Sequence, residues 1–484
     1  MPHRHQRFAQ FVRRTALVAP LLLLAGSLGY FLADARPAGA LPVFARKYGT
    51  SCLTCHTVFP KLNPFGEAFR RNGFRFPGKD SDFVKQDTVT LGQESSKKEF
   101  PKVVWPGTLP TMPFALAIAG AAVWHPDTKS SGGLADNGTP LSLQNLVEEA
   151  PFFFGGSMDD QTSYFGEVVL SGDGVELETA EVIFSDMIGP QNAVHLAVGK
   201  PMPALSSFGK HSSYVDRPAP AIPGTELFGG TSESWSIHEN YPALELNGTL
   251  GGRVEYAVGA NSGANEGVRP THSFYGHLGV KLGGMRLDGV GGTASDPGKP
   301  WAETALTLDG FAYGSKSEFV NAVDLLQRDH AVAMGGGVRG QWGSLELNFG
   351  VYQQKHTAAL WVLDEDTMEY KAASLKAQAE FGEASYVLFP WLVPAVRVEF
   401  IKLEPEGADA VWNARILPGL AMLIRPNIRL SVVATIERAL GAPDAGWGPA
   451  GGQAVPFGQA EPADVGASVH SEVEGVEIGL MYAF

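Results

Sequence analysis

The chain has 484 residues, a formal net charge of −14 at pH 7 and only 2 cysteines. The acidic balance argues against nucleic acid as a partner, and two cysteines are too few for a four-cysteine zinc site. Beyond residue 40, no uninterrupted apolar run approaches the length of a membrane-spanning helix.

Residues 1–40 are typical of a secretory signal peptide. A basic region precedes the apolar stretch Ala16–Ala25, and Ala38–Ala40 supplies a small-x-small cleavage site. The alternative is an uncleaved membrane anchor, because the apolar stretch is nearly long enough to span a bilayer, although proline and glycine interrupt it. We therefore expect an exported chain that begins at Leu41 after cleavage.

Both cysteines lie in one motif, Cys52-Leu53-Thr54-Cys55-His56, which is typical of a covalently attached c-type haem. Two thiols at this spacing add to the two vinyl groups of the porphyrin, and the histidine that follows ligates the iron. A thiol–disulfide motif would lie in a βαβ unit, which the surrounding sequence does not indicate. A structural zinc site would need a second pair of ligands, and the chain has no further cysteines. The sequence thus predicts one covalent haem c bound by Cys52 and Cys55, with His56 as the iron ligand and no catalytic residue.

Residues 41–80 carry the motif and are too few to bury an independent core, so this segment should need its haem and a neighbouring surface to fold. Asn63 as a helix N-cap and Gly73 as a stop signal predict one short helix. Phe65 and Phe69 stand one turn apart on this helix, where they pack on the porphyrin edge, form the small core, or do both. Residues 81–112, which are polar and punctuated by proline, predict a linker.

Residues 113–484 repeat an alternation of apolar and polar side chains with a period of two, as in β-strands with one apolar face. The last segment places Val476, Ile478, Leu480, Tyr482 and Phe484 on one face and small or polar residues on the other. We count about sixteen such segments of about ten residues each, separated by turn-rich connections. The expected fold class is mainly β, a transmembrane antiparallel β-barrel of about sixteen strands with a small α-helical N-terminal cytochrome as cap or plug.

A soluble β-sandwich produces the same alternation, with the apolar face turned into a core. The length and number of the segments and the aromatic end of the chain favour the barrel. The terminal Phe484 also resembles the signal that the outer-membrane assembly machinery of bacteria recognises. We therefore expect the protein in the outer membrane of a Gram-negative bacterium, with the haem cap in the lumen or on its periplasmic side.

The charges of the two parts are opposite. Residues 41–80 hold seven Lys/Arg against two Asp/Glu, a net charge of +5. The signal peptide carries +4 and the linker is neutral, so residues 113–484 carry a net charge of −23. A basic cap should be attracted to carboxylates that face the lumen. The alternation assigns to that face the following four residues: Glu255, Glu346, Glu437 and Glu477.

The second axial ligand of the iron is not encoded near the motif, because no His or Met lies between His56 and Met112. The alternatives are Met112, Met158, Met202 and His211, or a water or no ligand at all. The turn-rich stretch from Lys200 to Arg217 could bring His211 inward. Methionine ligation would raise the redox potential relative to histidine.

The segment Phe44–Gly49, the haem motif and the segment Phe59–Gly66, followed by a long β-patterned tail, resemble the fused monohaem cytochrome c–porin family of bacterial outer membranes. The best-known members of this family are iron oxidases of iron-oxidising bacteria. The resemblance implies a cytochrome that plugs or caps a sixteen-stranded barrel and carries electrons across the outer membrane. No feature of the chain itself identifies a ferrous-iron site.

The sequence therefore predicts an electron-transfer protein that passes single electrons between an extracellular donor or acceptor, with ferrous iron as one candidate, and periplasmic carriers. Its expected partners are outer-membrane lipid, periplasmic cytochromes or other carriers, and an extracellular redox-active metal. Enzymatic activity as an iron:cytochrome c oxidoreductase stays open. Two alternatives are a solute-conducting porin with an accessory haem and a soluble periplasmic cytochrome with a β-sandwich domain.

Overall fold

A computed structural model describes most of the chain downstream of residue 42. The described residues are 43–90, 98, 108–124, 141–143, 147–172, 174–202, 207–214, 240–262, 269–290, 298–320, 326–364, 369–406, 410–440 and 472–483. The chain divides into two units, Met1–Leu41 and Pro42–Phe484, and all described residues belong to the second. The predicted signal peptide and the terminal Phe484 lie outside the described residues.

The N-terminal part of the second unit, residues 43–90, forms a small mixed segment that we call the plug. Its elements are helix α1 (Val43–Tyr48), a 3₁₀ turn (Cys52–Thr54), strands β1 (His56–Val58) and β2 (Lys61–Leu62), helix α2 (Pro64–Arg71), a 3₁₀ turn (Asp80–Asp82) and strand β3 (Thr88–Thr90). Strand β4 (Thr108–Pro110), near the end of the predicted linker, pairs with β3.

Helix α2 begins and ends where the sequence predicts. Asn63 is the N-cap, and its side-chain oxygen accepts a hydrogen bond from the N–H of Gly66 at 2.9 Å. Pro64 occupies the first helical position, where its missing N–H is not needed. Gly73 follows the helix with φ +69°, a left-handed conformation that glycine adopts without a steric penalty.

The rest of the chain forms one closed antiparallel barrel. Its strands are β5 (Phe114–Trp124), β6 (Leu141–Ser142), β7 (Glu149–Ser157), β8 (Thr162–Ser171), β9 (Gly174–Phe184), β10 (His195–Lys200), β11 (Ala243–Leu250), β12 (Val254–Asn261), β13 (Arg269–Gly283), β14 (Glu303–Val320), β15 (Leu326–Gly343), β16 (Leu345–Asp364), β17 (Glu369–Tyr386), β18 (Leu392–Pro405), β19 (Val411–Arg425), β20 (Ile428–Leu440) and β21 (Glu472–Ala483).

The barrel closes where the last strand meets the first one. Strand β21 pairs with β5 from Val476 opposite Trp124 to Ala483 opposite Ala117. Strands β6 and β7 both pair with β5 and count as one interrupted strand, so the barrel, as the described residues form it, has sixteen strands. The predicted sixteen-stranded barrel is confirmed, and the β-sandwich alternative is wrong because closure leaves one continuous sheet.

The predicted assignment of strand faces is also confirmed. On β16, Phe349 is 52% exposed on the outside, whereas its neighbour Asn348 is 3% exposed on the inside. Leu480 on β21 points outward, and Glu255 and Glu346 are buried on the lumen side. The side chain of Glu437 lies outside the described set.

The plug lies inside the lumen and packs against opposite parts of the wall. The plug residues Tyr48, Phe69 and Phe74 share a core with Phe165 and Ile183 of β8 and β9. On the other side, Val58 shares a core with wall residues of β18 to β20. These two apolar clusters therefore form between plug and wall, as expected for a segment too short to fold alone. In the described part of the chain, no helix is long and apolar enough to cross a membrane.

Candidate functional site

The haem motif is held in place by the amide of Asn63. The side-chain N–H groups of Asn63 donate to the carbonyls of Leu53 and Thr54 at 3.1 and 3.0 Å. Its backbone N–H donates to the carbonyl of Cys55 at 2.9 Å. One residue thus caps helix α2 and fixes the loop of both cysteines. Both thiols are half-buried and unbridged.

Gly66 lets helix α2 approach the motif closely. A Cβ at this position would overlap the carbonyl oxygen of Cys55, so any larger residue would push the helix and the motif apart. The sequence alone does not explain why this helix position carries glycine. The reason is the packing of the helix against Cys55.

A backbone carbonyl fixes which nitrogen of the His56 imidazole carries the proton. Its Nδ1 lies 3.2 Å from the carbonyl oxygen of Pro60, which only accepts, so Nδ1 carries the proton and Nε2 offers a lone pair. Burial lowers the pKa of His56 to about 4, which keeps the ring neutral at physiological pH. A neutral imidazole with its second nitrogen bound to a carbonyl is the usual state of a histidine that ligates a metal.

The motif faces a cavity of about 350 Å³ between the plug and the barrel wall. Cys52, Cys55 and His56 all line it, so the structure brings the three predicted cofactor residues to one space. The remaining lining is mainly apolar and includes the aromatic residues Phe44, Phe59, Phe69, Phe74, Phe76, Phe153 and Phe165. This volume and this lining are typical of a cofactor pocket, and the residues present fit a covalently attached haem.

Two of the four predicted axial candidates line this cavity. Met202 and His211 do so, whereas Met112 and Met158 are not among its lining residues. The Nδ1 of His211 lies 3.2 Å from the same Pro60 carbonyl that His56 uses. Sequence reasoning missed Met481, which also lines the cavity, although the alternation of β21 had placed it on the lumen side.

His211 reaches the cavity because the segment Ser207–Tyr214 folds into the lumen; we call it the inner loop. Carboxylates of the wall hold both of its ends: the Ser207 hydroxyl donates to Asp309, and the N–H of Tyr214 donates to Glu383 at 2.9 Å. Midway, Phe208 is fully buried among the aromatic rings of Phe311, Tyr352 and Phe381, with ring centroids 5.4 to 6.0 Å from its own. The prediction that this stretch folds inward is confirmed for the described residues.

Buried ion pairs join the plug to the wall. Lys61 pairs with Glu346 and Arg71 with Glu255, so the predicted attraction of basic plug residues to these two carboxylates is confirmed. Lys61 also donates to the carbonyl of Ser212 in the inner loop at 2.8 Å. These contacts fix the plug between the wall and the inner loop.

One pair runs in the opposite sense, from an acidic plug residue to a basic wall residue. Arg339 of β15 donates from two nitrogens to the two carboxylate oxygens of Glu67, at 2.5 and 2.7 Å. Burial alone would raise the pKa of Glu67, but the guanidinium groups of Arg339 and Arg71 outweigh it and hold the pKa well below its usual range.

A second polar centre joins α1, the 3₁₀ turn at Asp80 and strand β7. The Lys47 ammonium, 1% exposed, donates to Asp80 at 2.9 Å and to the hydroxyl of Ser157 at 2.7 Å. Tyr48 donates to the other Asp80 oxygen at 2.8 Å. Burial lowers the pKa of Lys47, while for Asp80 the charge of Lys47 outweighs burial and lowers the pKa of the carboxyl. Within the described ranges, no three His, Cys, Asp or Glu side chains converge closely enough to hold a bare metal ion.

The fold and the site together define a closed sixteen-stranded barrel whose lumen holds an N-terminal plug with a haem-motif cavity. No protein-family model and no curated protein matches the sequence. Among solved structures, the chain is similar to outer-membrane OmpT of Vibrio cholerae, with a TM-score of 0.46 and 11% identity over 78% of this chain and 99% of that one. An anion-selective porin from Comamonas acidovorans has a TM-score of 0.46 and 12% identity over 77% and 98% of the two chains. The outer-membrane channel DcaP of Acinetobacter baumannii has a TM-score of 0.40 and 12% identity over 77% and 96%.

Proposed function

We propose that the protein is an outer-membrane c-type cytochrome in which one covalent haem, held in the barrel lumen, carries single electrons across the membrane. The observation that carries this proposal is that Cys52, Cys55 and His56 all face one largely apolar cavity of about 350 Å³ inside the barrel. A bound haem c would supply reversible one-electron transfer at its iron.

The residues of the chain have separate tasks in this function. Cys52 and Cys55 would tether the porphyrin, and His56 would ligate the iron through Nε2 while Pro60 orients its ring. The aromatic lining of the cavity keeps water away, and a dry, apolar environment is one of the factors that set a haem potential. No proton transfer or nucleophile is required.

The location in the outer membrane rests on the outer surface of the barrel. Large apolar side chains such as Leu278, Phe349, Phe400 and Leu480 point outward and are exposed, as a lipid-facing sheet requires. The cavity is lined by Ala115 and Ala483, which places it at the end where the barrel begins and finishes. The connections at this end range in length from the single residue Ser344 to residues 284–302, whereas the longest ones, residues 201–242 and 441–471, are at the opposite end. Long loops at one end only are typical of outer-membrane barrels, whose shorter turns face the periplasm.

This placement suggests the partners. A haem near the periplasmic end would exchange electrons with a periplasmic cytochrome or another soluble carrier. The extracellular partner would be a redox-active metal or another small donor or acceptor, and the family resemblance of the plug makes ferrous iron the first one to offer.

The test is redox-titrated spectroscopy of the protein in its native membrane, with ferrous iron and other donors supplied from outside. We expect a haem stain that persists after denaturation, and reduction of the haem by external donor. A double variant, Cys52→Ala with Cys55→Ala, that retains the barrel should lose both signals, because neither thioether bond can form. A folded wild-type barrel without covalent haem would refute the proposal.

A second candidate is a solute-conducting porin with an accessory haem, and the closed sixteen-stranded barrel favours it. Against open conduction, the plug and the inner loop both lie in the lumen, and Phe208 is fully buried there. Single-channel recording in planar bilayers separates the two candidates. A porin conducts ions steadily, whereas a plugged electron carrier stays closed.

A further inference from the structure

The cavity that faces the haem motif is mainly apolar, yet two guanidinium groups line it. Arg70 belongs to helix α2 of the plug, and Arg429 belongs to strand β20 of the wall. Arg429 is buried, with 6% of its side chain exposed. Burying a guanidinium is costly unless acceptors surround it, so its acceptors indicate its role.

The two arginines have different surroundings. Arg70 interacts electrostatically with Glu181, Glu67 and Glu255, which are carboxylates of the plug and the wall. Arg429 donates from Nη1 to the carbonyl oxygen of Phe59 at 2.5 Å and interacts electrostatically with Glu477. A guanidinium has five N–H donors in a planar fork, so one arginine can bind several acceptors at once.

The position of Arg429 next to the motif is fixed by the barrel. In the sheet it pairs with Leu423 on one side and Met481 on the other, and both of these side chains line the cavity as well. Its hydrogen bond to Phe59 holds the loop that follows His56, whose ring lies 5.0 Å from that of Phe59. The acidic residues that line the cavity, Glu149 and Glu167, lie on other strands, β7 and β8.

We propose that Arg429 binds a propionate carboxylate of the haem, so that the barrel wall supplies part of the cofactor site. The inference rests on the proposed haem function. Carboxylate and guanidinium match in a two-pronged, charge-assisted hydrogen bond, and the apolar surroundings strengthen it. The positive charge also favours the reduced haem, because reduction adds an electron beside it.

The experiment compares Arg429→Gln and Arg429→Lys with the wild type in purified, haem-loaded protein. Arg253→Gln is the control, because Arg253 is a barrel arginine that donates to the carbonyls of Gly283 and Gly284 and does not line the cavity. Heat-modifiable migration in gels establishes a folded barrel, and haem staining after denaturation establishes attachment. The readouts are the midpoint potential and the propionate bending band in the resonance Raman spectrum.

For Arg429→Gln we expect the haem to remain attached and the propionate band to shift. The ratio of reduced to oxidised haem at a fixed applied potential should fall tenfold, which corresponds to a fall of about 59 mV in the midpoint potential for one electron. Arg429→Lys keeps the positive charge, so its midpoint potential should stay close to that of the wild type. The propionate band should still shift, because an ammonium cannot bind both carboxylate oxygens in the same way. An unchanged propionate band in both variants overturns the proposal. If the glutamine variant does not fold, the band of the lysine variant decides alone. Absence of covalent haem from the wild type would instead refute the haem function itself.

Discussion

The ion pair between Glu67 and Arg339 gives a quantitative test of how firmly the plug is held. Glu67→Gln removes the charge that compensates Arg339, whose side chain is 1% exposed. Breaking a buried pair on one side costs about 3 to 5 kcal/mol, which corresponds to a shift of about 10² to 10⁴ in the docking equilibrium. The depressed pKa of Glu67 agrees in direction with strong stabilisation of its charged form.

The assay is the rate at which trypsin cleaves the plug in a folded, detergent-solubilised barrel, because cleavage tracks the undocked population when docking is fast. Glu318→Gln is the control: it breaks the pair of Glu318 with Arg328, an arginine that is 65% exposed, and such a pair contributes at most about 1 kcal/mol. We expect cleavage of Glu67→Gln to accelerate at least a hundredfold and that of the control less than about fivefold. If both variants are cleaved at nearly the same rate, the pair does not hold the plug and the reasoning is wrong.

Three further outcomes are expected. Gly66→Ala should push helix α2 away from Cys55 and lower the haem stain per folded barrel severalfold, whereas Gly172→Ala, with open space around its Cβ, should leave the stain unchanged. Phe208→Ala should destabilise the inner loop by about 3 to 5 kcal/mol and produce conductance steps in planar bilayers that the wild type lacks. If the variant produces no conductance steps, the aromatic cluster around Phe208 does not seal the lumen. The pKa values of Glu67 and Asp80 are depressed in the folded protein, so the stabilisation by their charges is complete above the ordinary pKa range of carboxyl groups. It is lost as the pH falls through the pKa values of the folded state. Thermal unfolding at a series of acidic pH values should therefore show a progressive loss of stability.

The features that the sequence predicts best are local. The N-cap at Asn63 and the stop at Gly73 depend on neighbours within one helical turn, and both are confirmed. The strand faces follow from the period-2 alternation, because one side of a barrel strand always faces inward. The charge difference between plug and barrel then predicts attraction, and Glu255 and Glu346 do receive plug cations.

The features that the sequence does not predict depend on strand register and on loops that fold back. Nothing near Glu67 in the chain indicates that its partner is Arg339, which lies 272 residues away. The same holds for Arg429 and Met481, which line the cavity only because β20 and β21 bring them to the same end of the barrel. Alternation places such residues on the correct face, but their height and angle around the lumen depend on barrel closure.

The arrangement of buried charges indicates that plug and barrel fold as one unit. The plug buries Lys47, Lys61 and Arg75 almost completely, and each of them pairs with an acidic group or donates to the wall. A buried charge without its partner is strongly unfavourable, so Lys61 and Arg75, whose acidic partners Glu346 and Asp186 belong to the barrel, have no stable position unless the barrel is already present. The aromatic rings of the plug pack on one another, but Phe165, Ile183 and Ala197 of the wall complete this apolar cluster. A segment comprising residues 43–90 alone should therefore stay unfolded, and the haem cavity should form only after the barrel has closed around it.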